Sequence, residues 1–363
     1  MKGKIVFFEG EKKFGFAEEI LPKVEDGAVL TKVLCTNICG SDIKNWKGTS
    51  SVGMGDKPTC QGHEFVGEIF ELGKGVETDS MGQPVKVGDR IVAPYFITCG
   101  ECKACKAGRY DLCENAYIHL GNNPSEWPHF GGTFASHYYI YPEQMFYKVP
   151  DSVPNELAVG VNCAFSQVYY GLERANLKSG ETLLIQGAGG LGLYASAIAK
   201  EKGAKVILMD GVKERLELAE KFGADYTVNI SEISDLGERE NLVKKLTNGD
   251  GADVALEVTG FAGAFEEGIR HLGIMGRYVV IGINSTAVNA VISPGYITRK
   301  ALTVYGVVRY LPEYIHKSLK FLEKYQDKYP FKDFSERKFS LDEIGEALQM
   351  SADRKITRAI IIP

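Results

Sequence analysis

Apolar residues in the second half of the chain fall into short runs separated by stretches of helical periodicity. The apolar runs cover residues 182–186, 206–209, 226–230, 254–258, 278–283 and 302–305. Amphipathic segments such as KERLELAEKFGA (213–224) and RENLVKKL (239–246) lie between them. Strands that alternate with helices pair in parallel, and the helices cover the faces of the sheet. The pattern therefore predicts an α/β region built on a doubly wound parallel sheet of six strands.

The first half of the chain has a different pattern, with short alternating strands separated by turn signals. EDGA at 25–28 and GDR at 88–90 are examples of these turns. This pattern is typical of a compact β-rich module. Because the chain has 363 residues, more than the ~250 to 300 at which one core usually splits, we expect two domains.

A glycine-rich loop follows the first strand of the predicted parallel sheet and opens a helical stretch that runs to Lys202. Its residues are Gly187, Gly189, Gly190, Leu191 and Gly192. In the G-x-G-x-x-G pattern the first glycine allows a tight turn, the second lets the backbone approach a pyrophosphate, and the third lets the helix pack on the strand. A turn without a ligand can show the same letters, but the position between strand and helix favours a dinucleotide site.

Asp210 stands at the end of the second strand of this sheet, 18 residues beyond Gly192. A carboxylate at this position accepts hydrogen bonds from the adenosine ribose and repels a 2′-phosphate, so NAD is favoured over NADP. Arg215 and Lys213 lie near enough in sequence to reach a phosphate, which keeps NADP as the alternative. Val258 in EVTG and Ile281 in VIGI end later strands, where we expect the nicotinamide half to bind.

The composition limits the partners of the protein. The net charge is −5, with acidic and basic residues mixed along the chain, so no basic footprint predicts binding to nucleic acid or to an anionic membrane. We see no secretory leader after Met1 and no apolar run near the ~20 residues of a membrane span. We expect a cytoplasmic protein with reduced thiols that acts on small molecules.

Four cysteines lie within fifteen residues, in CGECKACKAGRYDLC at 99–113. They are Cys99, Cys102, Cys105 and Cys113. In a reducing compartment such a cluster favours a metal over disulfides. Four thiolates can surround one tetrahedral Zn²⁺ and leave no open position, so the site is predicted to be structural. An iron–sulfur cluster and metal-free thiols remain the alternatives.

A second metal site is suggested by Cys39 in NICGSD, His63 and Glu64 in QGHEF, and Cys163 in NCAFS. Each of these signals is weak by itself, because cysteine is commonly buried and a lone histidine more often has a structural role. Their spacing along the chain does not join them into one site.

Five motifs, in their order along the chain, resemble those of the zinc-containing alcohol dehydrogenases of the medium-chain dehydrogenase/reductase family. They are NICGSD, GHEFVGEI, the four-cysteine segment, NCAFSQVYYG and the glycine loop. The resemblance covers essentially the whole chain. It implies that Cys39, His63 and Cys163 ligate a catalytic zinc, and that Glu64 matches a glutamate close to the metal that ligates it in some members. Cys35 and Cys60 match no ligand position, and we interpret them as core cysteines.

The resemblance also implies the architecture. A GroES-like catalytic domain is expected over residues 1–164 and 308–363, and an NAD-binding Rossmann domain over 165–307, with the active site in the cleft between them. It implies two zinc ions per chain, one catalytic and one structural, together with NAD. We expect a homodimer or a homotetramer.

The expected reaction moves a hydride from an alcohol to NAD while zinc acts as a Lewis acid. By the resemblance, Asp42 orients the zinc-bound histidine, and Ser41 passes the alcohol proton outward. Where many relatives have a histidine five residues after the first ligand, this chain has Lys44. This leaves Lys44, another side chain and bulk water as candidates for the last proton acceptor.

Sequence cues to the substrate conflict. YGVVRY at 305–310 resembles a segment of the polyol branch, in which its arginine, here Arg309, lies near cofactor and substrate, whereas Cys163 as third ligand resembles the ordinary alcohol branch. Four aromatic residues are candidates for cleft walls or for core positions: Tyr95, Phe96, Trp127 and Phe134. A secondary, polyol or cyclic alcohol fits equally well.

Alternative functions are a lyase or dismutase on the same fold and a non-catalytic protein that binds NAD and zinc.

Overall fold

The computed structural model describes residues 1–49, 58–283, 285–334 and 337–363. Its strands are β1 (Lys2–Gly10), β2 (Lys13–Ile20), β3 (Val29–Asn37), β4 (Thr59–Cys60), β5 (Glu64–Leu72), β6 (Arg90–Val92), β7 (His137–Ile140), β8 (Tyr147–Lys148), β9 (Thr182–Gln186), β10 (Lys205–Asp210), β11 (Tyr226–Asn229), β12 (Ala252–Glu257), β13 (Leu272–Val280), β14 (Thr303–Gly306), β15 (Arg337–Ser340) and β16 (Ala359–Ile362). Its α-helices are α1 (Gly40–Trp46), α2 (Lys103–Lys106), α3 (Asn155–Ala158), α4 (Ser166–Arg174), α5 (Gly190–Glu201), α6 (Lys213–Lys221), α7 (Leu236–Leu246), α8 (Ala262–His271), α9 (Pro294–Lys300), α10 (Tyr314–Tyr325) and α11 (Ile344–Ala352). A π-turn spans Val161–Phe165.

No helix in these described ranges is long and apolar enough to cross a bilayer.

The chain divides into two compact units. The first unit comprises Met1–Cys163, Leu311–Gln326 and Phe331–Pro363, and the second comprises Ala164–Tyr310 and Asp327–Pro330. The sequence-based limits at 164 and 307 lie close to these positions, but the short return of 327–330 to the second unit has no signal in the sequence.

The first unit contains two sheets. The larger follows the order β15-β16-β3-β5-β6-β8, with β7 also paired to β3, and the smaller follows the order β2-β1-β4. Strands β3 and β5 are antiparallel, so Asn37 at the end of β3 lies opposite Glu64 at the start of β5. Apolar residues such as Val33 and Ile69 are buried on one face of this pair. The core therefore fixes the end of the sheet from which His63 and Glu64 project.

The second unit is built on a six-stranded sheet in the order β11-β10-β9-β12-β13-β14. All of its pairings are parallel. The central strand β9 is buried along its whole length, as expected for a strand covered on both faces. The predicted Rossmann sheet is confirmed, and its order reverses between β9 and β12, which is where dinucleotides bind in this fold.

Strand β13 corrects one sequence-based boundary. The apolar pattern predicts a strand over 278–283, whereas the observed strand covers Leu272–Val280. Its first part is irregular, since the register with β12 shifts and Met275 has a φ of 58°. At its end the N–H group of Gly282 donates to the carbonyl of Glu257, which already accepts from Ile281, so the regular ladder stops there.

Candidate active site

The four-cysteine segment forms a closed cluster. One ligand atom from each of Cys99, Cys102, Cys105 and Cys113 lies within 4.8 Å of all the others. Cys99 Sγ is 3.5 Å from Cys113 Sγ and 4.0 Å from Cys105 Sγ. These separations are far beyond a disulfide bond and near the ~3.8 Å edge of a tetrahedron with Zn–S bonds of about 2.3 Å. All eight cysteines of the chain are free.

Backbone N–H groups prepare this cluster for thiolates. The N–H groups of Cys102 and Glu101 lower the pKa of Cys99 to about 6. The sulfur of Cys102, which caps α2, accepts from the N–H of Cys105 at 3.4 Å, and the pKa of Cys102 is also lowered. Burial raises the pKa of Cys105 to about 12, so the stabilisation is limited to Cys99 and Cys102. Because metal ligands must be deprotonated, the two stabilised thiolates fit a Zn²⁺ site.

The second donor set comes from three distant segments. Cys39, His63, Glu64 and Cys163 each place a ligand atom within 4.8 Å of the other three. Cys39 stands directly before α1, His63 and Glu64 stand at the start of β5, and Cys163 lies in the π-turn. The structure thus brings together the residues whose spacing could not join them. Within the described residues this cluster and the four-cysteine cluster are the two that could hold a metal.

Asp42 organises two of these residues. Its Oδ2 accepts from the backbone N–H of Cys39 at 2.7 Å, and its Oδ1 lies 3.1 Å from Nδ1 of His63. Burial lowers the pKa of His63, but the Asp42 carboxylate and Cys39 outweigh burial and raise it well above its ordinary value. Since Nδ1 is occupied by Asp42, Nε2 is the nitrogen available to a metal, an arrangement common around metal-binding histidines.

The two sulfurs of this set lie close together, and the pKa values of the two thiols are shifted in opposite directions. Cys39 Sγ and Cys163 Sγ are 4.0 Å apart. A hydrogen bond from Cys163 lowers the pKa of Cys39 well below its ordinary value, whereas the pKa of Cys163 is raised well above it. The distance suits two sulfurs on one tetrahedral ion, so the donor set fits zinc held by two thiolates and one imidazole.

Glu64 is completely buried beside the metal-ligand candidates. Its Oε2 accepts from Nη1 of Arg358 at 2.9 Å and from Nδ2 of Asn37 at 3.4 Å. Burial raises the pKa of Glu64 to about 7, and Arg358 opposes the rise. Its Oε1 is buried and has no hydrogen-bond partner among the described residues. A buried acceptor with an open lone pair next to a ligand set is available to a cation.

Ser41 and Lys44 lie on α1 and are both exposed. The Ser41 hydroxyl hydrogen-bonds to Cys39 and helps to lower the pKa of that thiol. Its position beside the donor set and at the surface is that of a group able to pass a proton between them.

The aromatic candidates separate into different environments. The ring of Tyr95 packs edge to face against His63, with centroids 5.2 Å apart. Phe96 and Phe134 are fully buried, and Trp127 is half-exposed. Tyr95 is therefore the aromatic residue in contact with the donor set.

Cys35 and Cys60 are core cysteines, as interpreted from the sequence. Both side chains are buried. Burial raises the pKa of each thiol to about 12, which keeps both sulfurs protonated.

The glycine loop of the second unit has the geometry of a phosphate cradle. Gly187 has a φ of 108°, and a Cβ on Gly192 would lie 1.9 Å from the carbonyl oxygen of Gly187, so neither position accepts a side chain. A Cβ on Gly189 would meet nothing within 4 Å, so open space lies over this residue. Gly190 and Leu191 begin α5, and Gly189 is the cap residue before them, with no side-chain hydrogen bond at this helix start. Backbone N–H groups at a helix start suit an anion such as pyrophosphate.

Asp210 closes the other side of this loop. Its Oδ2 accepts from the N–H of Ala188 at 2.7 Å and its Oδ1 from the N–H of Val212 at 2.9 Å. Each oxygen keeps a lone pair for a ribose hydroxyl. Arg215 lies on α6 and is half-buried, one turn beyond Val212.

The ends of β12 and β13 are joined by Glu257, which the sequence did not single out. Its Oε1 accepts from the N–H of Thr259 at 2.6 Å and of Gly260 at 2.7 Å, and its Oε2 accepts from the N–H of Ile283 at 2.9 Å. Val258 and Ile281 follow the two strands at this tie. Arg309 follows β14 and is buried.

Comparisons with known proteins address the family. Sequence models of two domain families match the chain, the alcohol dehydrogenase GroES-like domain over residues 25–151 and the zinc-binding dehydrogenase domain over 190–324. The 5-exo-hydroxycamphor dehydrogenase of Pseudomonas putida is 30% identical over 337 residues, which cover 92% of this chain and 91% of that protein. This chain belongs to the zinc-binding alcohol dehydrogenases. The predicted family is confirmed, and zinc and NAD are its typical cofactors.

Two further relatives extend the comparison within the zinc-binding alcohol dehydrogenases. The L-threonine 3-dehydrogenase of Pyrococcus horikoshii is 36% identical over 304 residues, covering 81% of this chain and 80% of that one. The crystal structure of an alcohol dehydrogenase from Thermotoga maritima superposes with a TM-score of 0.93 at 29% identity and covers 100% of both chains. The predicted α/β fold with a GroES-like domain is that of this family.

Sequence reasoning missed Arg358 and Asn162 in the first unit. Arg358 precedes the apolar strand β16, and a charged residue next to a buried strand is a signal that a partner charge is buried nearby. Asn162, directly before Cys163, is fully buried and donates two hydrogen bonds within the site. An asparagine at this position of the sequence gives no comparable indication that its side chain is buried and bonded within the site.

The two donor sets predict separable losses of zinc. Cys39→Ala should remove one zinc ion and leave the protein folded, because the first unit has a large core apart from this site. Cys102→Ala should remove the other and lower stability, because a closed four-thiolate site contributes folding energy. Elemental analysis and thermal unfolding of both variants check this. Iron in place of zinc, or one metal per wild-type chain, contradicts it.

Removing Arg358 should destabilise the protein through Glu64. Arg358→Met removes the cation that opposes the rise in the pKa of Glu64, so the carboxyl group should take up a proton, and we expect a loss of about 1–3 kcal/mol in urea unfolding at pH 7. Arg337→Met is the matched control, because Arg337 pairs with Glu346 at the surface and should cost less than about 1 kcal/mol. Adding Glu64→Gln to Arg358→Met should recover part of the loss. Equal stability of the two single variants would show that Glu64 does not depend on Arg358.

Proposed function

We propose that this protein is a zinc-dependent dehydrogenase that moves a hydride between a secondary hydroxyl group and NAD, with a ketone as the oxidised product. The observation that carries the proposal is the convergence of Cys39, His63 and Cys163, with Glu64 beside them, in a chain that also has an open phosphate cradle. A protein that bound NAD without turnover would have no need of this donor set.

The residues of the two candidate metal sites in the first unit each have a proposed role. When bound, zinc supplies a Lewis acid that favours loss of the hydroxyl proton, and NAD supplies the hydride acceptor. Cys39, His63 and Cys163 hold the metal, and Asp42 keeps the imidazole oriented with Nε2 toward it. Glu64 is the further carboxylate beside the ion. The cysteines of the 99–113 segment hold a second, structural zinc.

The hydroxyl proton leaves through Ser41 in this proposal. Its hydroxyl bonds to Cys39 on one side and is open to solvent on the other. The proton then passes to water or to Lys44, one turn further along α1. Oxidation of one alcohol thus releases one proton to solvent and one hydride to the coenzyme, which balances the two electrons transferred.

A secondary hydroxyl is the proposed substrate group. The names of the two curated relatives, hydroxycamphor and L-threonine 3-dehydrogenase, both describe a hydroxyl on a carbon bonded to two other carbons. Tyr95 is proposed to line the substrate side of the metal, because its ring already packs on His63. A cyclic or polyol substrate satisfies the same chemistry.

The second unit is proposed to bind NAD. Gly187, Gly189, Gly190, Leu191 and Gly192 receive the pyrophosphate, and Asp210 receives the adenosine ribose, with Arg215 near the same end. Val258, Ile281 and Arg309 follow strands on the other side of the switch point, where the nicotinamide half is expected.

The assembly is proposed to be a homodimer or homotetramer in the cytoplasm. Strand β14 lies at the edge of its sheet and exposes Val304, and Val291 and Ile274 are also exposed in this unit. An edge strand of this kind can pair with the same strand of a second copy across a two-fold axis. Eight free cysteines suit a reducing compartment.

An alcohol panel tests the function. Purified protein with zinc should reduce NAD, seen as absorbance at 340 nm, with secondary, cyclic or polyol substrates, and Cys39→Ala should abolish the signal. Turnover without net NADH, with the nucleotide retained, would indicate a lyase or dismutase. Nucleotide binding without turnover of any substrate would indicate a non-catalytic protein.

Coenzyme choice should depend on Asp210. Asp210→Ala should raise KM for NAD by roughly 10-fold, the effect expected when a charged hydrogen bond is lost. It should also bring the KM values for NAD and NADP closer together, because the carboxylate no longer repels the 2′-phosphate of NADP. Asp253→Ala is the control, since Asp253 also accepts one backbone N–H, from Thr182 at 2.7 Å, but lies at the opposite end of the strands. A wild-type protein that prefers NADP would refute the assignment.

The proposed proton path predicts that substitutions of Ser41 and Lys44, both on α1, lower kcat to different degrees. Ser41→Ala should lower kcat at pH 7 by roughly 100-fold, because it removes a group that moves a proton in the reaction. Lys44→Ala should lower kcat only modestly, because solvent already reaches the helix, and should leave zinc content unchanged. Rates are measured where hydride transfer limits turnover, shown by a deuterium isotope effect. An unchanged kcat in Ser41→Ala would remove the relay.

A further inference from the structure

Asn162 is the buried amide next to the third ligand candidate, Cys163. Its side chain is fully buried within the π-turn. Its Nδ2 donates to the carbonyl of His63 at 2.8 Å and to the carbonyl of Ala93 at 2.8 Å. Both N–H bonds of one carboxamide are thus used on two segments that meet the donor set.

The contact with His63 connects parts of the site that Asp42 does not connect. Asp42 joins Cys39 to His63, and both of its oxygens are used there. Cys163 arrives about 100 residues later in the chain, on a separate segment. The side chain of Asn162 ties the backbone beside this cysteine to the backbone of the histidine.

The contact with Ala93 lies on the segment that carries Tyr95. Ala93 follows β6 directly and precedes Tyr95 by two residues. The Tyr95 ring packs against the His63 ring, but Gln144 also holds this segment, through the carbonyl of Pro94, so the contact that only Asn162 makes is the one with His63. Asn162 and Cys163 both lie in the π-turn, and such turns occur frequently at functional sites. A side-chain bond from this turn to the backbone of His63 therefore limits where the backbone of Cys163 can lie.

We propose that Asn162 is a positioning residue of the Cys39–His63–Cys163 metal site. Its carboxamide sets the distance between the backbones of His63 and Cys163, and so controls both the ligand geometry and how firmly the metal is retained. The inference rests on the proposed function, because it requires a metal ion at this donor set.

Gln144 provides a matched comparison. It is also a buried carboxamide, and its Nε2 donates to the carbonyl of Pro94 at 2.7 Å and to the hydroxyl of Tyr138 at 3.0 Å. It thus bonds the carbonyl next to Ala93 without touching a ligand residue. Removing either amide leaves buried groups unpaired and should lower stability to a similar degree. Only the loss of Asn162 should change the metal site.

The experiment uses the full chain with Co²⁺ at the catalytic site and zinc in the cysteine cluster. Visible d–d absorption reports ligand geometry, and transfer of metal to a coloured chelator reports retention. Cys39→Ala identifies the signal of the cluster alone. Asn162→Ala should shift the d–d bands and release catalytic metal roughly 10- to 100-fold faster, the range found for outer hydrogen-bond partners of metal ligands. Gln144→Ala should match the wild type in both measurements.

Several outcomes overturn the proposal. Release rates and spectra of Asn162→Ala equal to those of Gln144→Ala would show that Asn162 is an ordinary core amide. If Asn162→Ala does not fold, Asn162→Ser, which keeps one donor, should release metal at an intermediate rate. Failure of both to fold while Gln144→Ala folds would assign Asn162 to the fold and not to the site. A wild-type protein with no Cys39-dependent metal would overturn the proposed function as well.

Discussion

The buried carboxylate of Asp42 is the contact on which the geometry of the candidate site depends. It receives the backbone N–H of Cys39 on one oxygen and faces the imidazole of His63 on the other. One side chain thus couples the start of a helix to the start of a strand, and only two residues separate it from the cysteine that it positions. Burial raises the pKa of Asp42, while His63 opposes the rise, so the charged form depends on the imidazole remaining in place.

The candidate sites of the two units both suit a charged group, but they are built from different parts of the chain. The first unit uses side chains, since its ligand set is surrounded by Asp42, Glu64 and Arg358. The second unit uses backbone: glycines without side chains expose N–H groups at the start of α5, and carboxylates at the ends of strands accept the N–H groups of the neighbouring loops. A side-chain site depends on residue identity, whereas a backbone site depends mainly on the absence of side chains.

This difference explains how much the sequence could predict. The individual strands and helices of the second unit, the glycine loop and the cysteine cluster are local, so their residue types and spacing carry the whole signal. The set of Cys39, His63 and Cys163 is not local, and the sequence joins these residues only through resemblance to a family. The pairing of Glu64 with Arg358 spans 294 positions and depends on the register of β16 against β3. The hydrogen bonds of Asn162 depend on where the carbonyl groups of His63 and Ala93 lie after folding. No pattern in the sequence indicates those positions.

The separation of Glu64 and Arg358 has a consequence for the order of assembly during synthesis. The cysteine cluster lies within fifteen residues, so all four of its thiols leave the ribosome together. Arg358, the partner of Glu64, is synthesised only after the second unit, because it precedes the last strand of the chain. The charge pair beside the candidate metal site can therefore form only after all residues of the second unit have been synthesised.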